Sequence, residues 1–140
     1  IGTDYFHSAL YTKGGYLMPD LDFAASQAVV AADQIFLGGQ TGLIMDGKGF
    51  VGKGDPAAQA ENAMQVVKVL LEEAEARMED ICKITTYVTD RSYRELVYPV
   101  IARHLKGVYP VSTGIVVKAL ALPEINFEID VFAVIPENRA

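Results

Sequence analysis

The sequence predicts an α+β fold: one mostly antiparallel sheet with two helices on one of its faces. Three observations carry this expectation. Short apolar or alternating runs recur at 27–32, 35–40, 81–90, 113–119 and 126–135, and two stretches of helical period separate them. The 140 residues, 51% of them hydrophobic, supply one core and leave no room for a second. The resulting order, β-β-loop-α-β-α-β-β, with runs of strands around two long helices, is that of a single layer of sheet covered on one side.

Each element has a local reason. Residues 1–22 mix Tyr, Gly, Lys and Pro without sustained period, with turn signals at Lys13-Gly14-Gly15-Tyr16 and Pro19-Asp20, and read as an irregular lead-in to a domain spanning 23–140. Two apolar runs then flank Asp33-Gln34 in the pattern of a hairpin whose strands are buried. Five glycines between 42 and 54, centred on Asp46-Gly47, predict a loop or a second, irregular hairpin. Asp55 is placed to cap a helix, and Pro56 stands at its first position, where the missing N–H costs nothing. Ala60, Ala63, Met64, Val67, Leu70, Leu71 and Ala74 then form one apolar face.

The β-branched alternation of 81–90 predicts a strand. Ser92 is expected to cap a second helix with Tyr93, Leu96, Val100, Ile101 and Leu105 on one face, kinked or shortened by Pro99 and ended by Gly107. Two strands close the chain, separated by a turn around Pro123-Glu124.

Composition excludes several classes of function. A formal charge of -6 and a pI near 4.8 have the wrong sign for neutralising phosphates, so nucleic acid is not an expected partner. The single cysteine, Cys82, forbids an internal disulfide, and two histidines, His7 and His104, cannot assemble a metal site at recognised spacing. No apolar run reaches the length of a membrane helix, and the start lacks a basic segment followed by a hydrophobic one. A reduced, cytoplasmic protein without metal or cofactor is the expectation. The apolar fraction also favours a buried interface between subunits.

Few residues are left for chemistry. His104 reads as a solvated cation at a helix end, His7 as a surface residue, and Cys82 as a buried, inert thiol. Gly38-Gly39-Gln40 ends a strand, where glycines mark a bulge or admit a ligand to the backbone. No glycine-rich phosphate-binding motif is present. In the last strand, alternation puts Phe127, Ile129, Val131 and Ala133 on one side and Glu128, Asp130 and Phe132 on the other. The two carboxylates are solvated charge if that face is open. If it lines a cleft, Glu128 is a general acid or base with a pKa raised by burial and by Asp130.

Several strings, taken in order, resemble the reactive-intermediate deaminase family (Rid, YjgF-like or endoribonuclease L-PSP-like). They are Ser26-Gln27-Ala28-Val29, Gly38-Gly39-Gln40, the helix from Ala57-Ala58-Gln59-Ala60 to Leu70-Leu71, the strand from Ile81 to Asp90, Tyr109-Pro110-Val111-Ser112-Thr113, and Phe127-Glu128-Ile129-Asp130-Val131-Phe132-Ala133. The resemblance implies a chorismate-mutase-like fold, a homotrimer, and sites between subunits that hydrolyse small imines or enamines without a cofactor. It implies that Glu128 positions the attacking water and that Gly38, Gly39, Ser112, Thr113 and Gly114 bind the substrate. It also implies departures: Ser112 stands where such proteins carry an arginine that grips a carboxylate, Gly114 where they often carry a cysteine, Ala25 at a tyrosine and Val97 near an asparagine. An uncharged or differently placed ligand group is then expected near Ser112, Thr113 and Gly114, unless Lys118 or Arg91 restores the charge. The alternative is a non-catalytic trimeric module that binds small molecules. A ribonuclease is disfavoured by the net charge.

Overall fold

The computed structural model describes residues 3–6, 25–44 and 49–137. Six strands form one sheet: β1 (Thr3–Phe6), β2 (Ala28–Ala31), β3 (Gln34–Gln40), β4 (Ile81–Val88), β5 (Val111–Val116) and β6 (Phe127–Val134), in the order β1-β2-β3-β6-β4-β5. Every neighbouring pair is antiparallel except β4 and β5, which are parallel. The exception follows from connectivity: a helix links β4 to β5 and returns the chain to the same end of the sheet. Helices α1 (Pro56–Glu73) and α2 (Arg94–His104) pack together over one face, and the other face carries no helix among the described residues.

β6 is the middle of this arrangement, and its alternation is complete. Phe127, Ile129, Val131 and Ala133 are buried under the helices, whereas Glu128, Asp130 and Phe132 project from the open face. The core is built from these residues, Ile35 and Leu37 of β3, Ile84 and Val88 of β4, and the apolar stripes of the helices. The α1 stripe is the one its spacing predicts, with Ala74 packed at its end. Asp55 caps the helix through a bond from the Ala58 N–H to its Oδ1 (3.2 Å), and Pro56 takes the first turn.

Gln59 is fully buried on α1 and ties three segments together. Its Nε2 donates to the carbonyls of Gly52 (2.8 Å) and Glu124 (3.0 Å), and its Oε1 accepts from the Asn126 N–H (2.8 Å) at the entry to β6. Gln59→Leu keeps the volume but leaves these backbone groups unpaired, at about 1–3 kcal/mol each where water cannot reach them. We expect a loss of about 3 kcal/mol, read in a thermal melt as a fall of about 10 °C. A melt within a degree or two of the parent would show that water replaces the amide.

The structure corrects the sequence reading at several points. A strand, β1, lies within the lead-in and pairs with β2. Residues 7–24, with His7 and both turn signals, lie outside the described residues. Of the two options for 42–54, the irregular hairpin is the one found: Leu43 and Phe50 form a bridge, with the Ile44 N–H donating to Gly49 O (2.9 Å) and the Val51 N–H to Gly42 O (2.7 Å). Its centre, Asp46-Gly47, is again outside the described residues.

Ser92 is not a helix cap. Asp90 accepts from the Ser92 N–H (2.9 Å) and starts a 3₁₀ turn, Arg91–Tyr93, before α2 begins at Arg94. Val97, Val100 and Ile101 form the buried face of α2, and Leu96, expected on that face, is exposed. Cys82 is exposed, because the register of β4 against β6 slips between Ile81 and Lys83 and the bulge takes Cys82 out of the alternation. His104 does not stand free in solvent at the helix end: its Nε2 lies 2.9 Å from Glu61 Oε2 on α1. That hydrogen bond, more than any other interaction, holds the Glu61 carboxyl below its ordinary range.

Candidate functional site

The predicted site residues fall on two sides of the sheet. β4 and β5 pair residue for residue, so Ser112 and Gly114 share the helix-covered side with Ile84 and Thr86, and Thr113 shares the open side with Thr85. Glu128, opposite Tyr87, is on the open side as well.

On the open side, the β3–β6 register slips between Leu37 and Gln40, so Gly38 and Gly39 form a bulge. Gly38 is occupied within the chain: its N–H donates to Gln27 O (2.8 Å) and its carbonyl accepts from Gln40 Nε2 (3.0 Å). Its backbone therefore helps build the bulge and offers no N–H to a ligand, contrary to one of the two roles expected of it. Gly39 is required for a different reason. The Glu128 side chain lies directly against its Cα, and a Cβ there would stand 2.7 Å from the Glu128 Cδ.

Desolvation by burial, and then the charge of Asp130, raises the Glu128 carboxyl above its ordinary range. Asp130 in turn accepts a 2.7 Å hydrogen bond from the Tyr87 hydroxyl. That bond is the main reason the Tyr87 pKa is pushed up to about 12, so the hydroxyl remains a donor at any physiological pH. Next to these groups is a cleft of about 650 Å³ lined by Gly38, Gly39, Lys83, Thr85, Asp130 and the paired rings of Phe36 and Phe132, whose centroids are 5.1 Å apart.

A second cleft, of about 610 Å³, lies between α2 and β5 on the helix-covered side. Ser112 and Gly114 line it with Thr86, Tyr98, Arg94 and Lys106. A Cβ on Gly114 would meet the Tyr98 hydroxyl, so the missing side chain is what lets that tyrosine lie across the strand. Neither Lys118 nor Arg91 lines either cleft; the cations here are Arg94 and Lys106. Among the described residues there is no cluster of potential metal ligands, and no helix is long and apolar enough to cross a membrane.

A family model described as Endoribonuclease L-PSP matches residues 22–135, most of the chain. The chain belongs to that family. This Rid or YjgF-like family is also where its structural likenesses lie. A member of the YjgF/YER057c/UK114 family from Mycobacterium tuberculosis is 26% identical with a TM-score of 0.79, over 96% of this chain and 100% of the other. RidA from an Antarctic Psychrobacter is 28% identical with a TM-score of 0.67, over 79% of this chain and 87% of the other. A RutC family protein of Pyrococcus abyssi is 35% identical over 65 residues, which are 46% of this chain and 50% of that relative. The match thus spans half the length of that curated relative.

The Rid-like fold expected from the sequence is therefore the fold found: a single sheet with both helices on one face. Within it, reading the sequence missed Tyr87, Arg94, Tyr98 and Lys106. Tyr87 had a usable signal, since period-two alternation already placed it with Thr85. Arg94 and Tyr98 are four residues apart on α2, a spacing that puts two side chains together. Only the position of β5 shows that they face a cleft.

Proposed function

We propose that this Rid family member is a hydrolase that converts small imines or enamines to carbonyl compounds and ammonia, at clefts completed by a second copy of the chain. The observation that carries this reading is the division of Glu128 and Gly39 from Ser112 and Gly114 by the thickness of one sheet. No small ligand touches both sets within a single chain. The open face meanwhile presents Phe36, Val111 (67% exposed) and Ile115, and Tyr109 beside the second cleft is 89% exposed. These are the marks of a surface meant for another protein. An interface that joins the α2–β5 side of one copy to the open face of the next uses two different patches, and such an interface makes a ring when the rotation between copies closes. Three copies, as the family resemblance implies, is the ring we propose, with β5 supplying Ser112 and Gly114 to the substrate while Thr113, between them, faces the other side of the sheet.

In this arrangement Glu128 takes a proton from water as the oxygen adds to the imine carbon, and the nitrogen is protonated. Collapse of the carbinolamine breaks the C–N bond and releases ammonia. A carboxyl with a raised pKa suits this work, because it is basic enough to accept a proton from water and acidic enough to return it. The test joins assembly to chemistry. Ile115→Glu places a charge on the open face, and we expect native mass measurement to show single chains in place of a trimer. Ammonia release from an imine generated in situ should fall at the same time, by about 100-fold or more. A monomeric parent that hydrolyses the imine would overturn the shared cleft. Thermal stabilisation by ligands without turnover would assign the chain to binding alone.

A further inference from the structure

The cleft between α2 and β5 is lined by cations alone in a chain that is acidic as a whole. The chain carries a net charge of -6, yet Arg94 and Lys106 line this cleft and no Asp or Glu does. Arg94 is also oriented. Its guanidinium carbon is 5.3 Å from the centre of the Tyr98 ring, and its Nε donates to the Tyr98 hydroxyl at 3.3 Å. Among the described residues no carboxylate pairs with it. Such a cation, unpaired and held by an aromatic ring at the lip of a cavity that also offers the hydroxyls of Ser112 and Thr86, is suited to a small anion.

We propose that Arg94 binds the carboxylate of the ligand, so that the gripping charge comes from α2 and not from β5. The inference rests on the proposed function in one respect, that the ligand is a small C–N intermediate or its carbonyl product. The local sequence is consistent with the exchange. Ser112 carries no charge, and Gly114 leaves the space in which Tyr98 lies beside Arg94. A planar guanidinium donates to both oxygens of a carboxylate at once, which a lysine cannot do in the same fork geometry.

The experiment measures binding by calorimetry on the assembled protein, with 2-oxobutyrate as the carboxylate probe, butan-2-one as its uncharged counterpart and inorganic phosphate as a competing anion. We expect the parent to prefer 2-oxobutyrate to both. Arg94→Met should weaken that probe by about tenfold or more, as the loss of charge-assisted hydrogen bonds requires, with Arg94→Lys between the two. Tyr98→Phe, which keeps the ring but removes the hydroxyl, should cost only about two- to fivefold. Arg94 is exposed, so unchanged thermal melts should accompany these losses.

Equal affinity of the parent and Arg94→Met for 2-oxobutyrate overturns the assignment, as does a parent that prefers phosphate or butan-2-one. Glu128→Gln separates the two readings. It should retain 2-oxobutyrate affinity while losing hydrolysis. If the parent binds the keto acid through Arg94 and hydrolyses no imine, the enzymatic reading fails and the carboxylate site stands.

Discussion

Glu128→Gln is expected to abolish hydrolysis and, at the same time, to make the protein more stable at neutral pH. The first effect is chemical. An amide oxygen has no useful basicity, so the rate of ammonia release should fall by at least about 100-fold, the usual contribution of a positioned general base. The second effect follows from the direction of the pKa shift. Burial and the Asp130 charge raise the folded carboxyl above its ordinary 4.5, so folding opposes its ionisation. That penalty is present in full above the folded pKa and vanishes below the unfolded value, where both states are protonated. The variant should therefore melt above the parent at pH 7, and the two curves should meet as the pH falls below about 4. Melts recorded across this range, with the ammonia assay at pH 7, check both halves. A variant as active as the parent removes Glu128 from the mechanism. A variant less stable at pH 7 would show that the ionised carboxylate is better paired than its surroundings indicate.

Gly39→Ala should be the most damaging single methyl group on the open face. The added Cβ would stand 2.7 Å from the Glu128 Cδ and 3.0 Å from its Cγ, closer than non-bonded carbons approach. Something has to move, and the carboxylate is the freer partner. A displacement of about 1 Å at a reacting group costs on the order of 100-fold in rate, and we expect that loss in kcat. Gly38→Ala is the matched control. A Cβ at that position meets only the carbonyls of Gln27 and Ser26, at 3.5 and 3.6 Å, so the variant should keep both its rate and its melting temperature. Equal rates in the two variants would show that the contact between Gly39 and Glu128 does not set the position of the base.

The two glycines show how far neighbouring residues can be read. Their presence at a strand end pointed to a bulge or a ligand contact, and the bulge is real. Which glycine is indispensable depends on a side chain from the end of the chain that no local pattern connects to it. Cys82 makes the same point in reverse. Its alternation with apolar neighbours predicted burial, and one slipped residue in the pairing of β4 with β6 exposes it.

The sequence by itself determined the class of fold, the apolar stripe and N-terminal cap of α1, the two faces of β6, and family membership. The stripe, the cap and the two faces depend on side chains two to four residues apart, and the fold class and family on the order in which such short patterns follow one another along the chain. Only the tertiary structure decided that Glu128 and Ser112 lie on opposite sides of the sheet, that Tyr87 serves Asp130, and that Arg94 faces Ser112 across a cleft. Those relations are set by which strand pairs with which, in what register, and by where α2 begins. Such choices are made by the packing of the whole core, and no short stretch of the chain contains them.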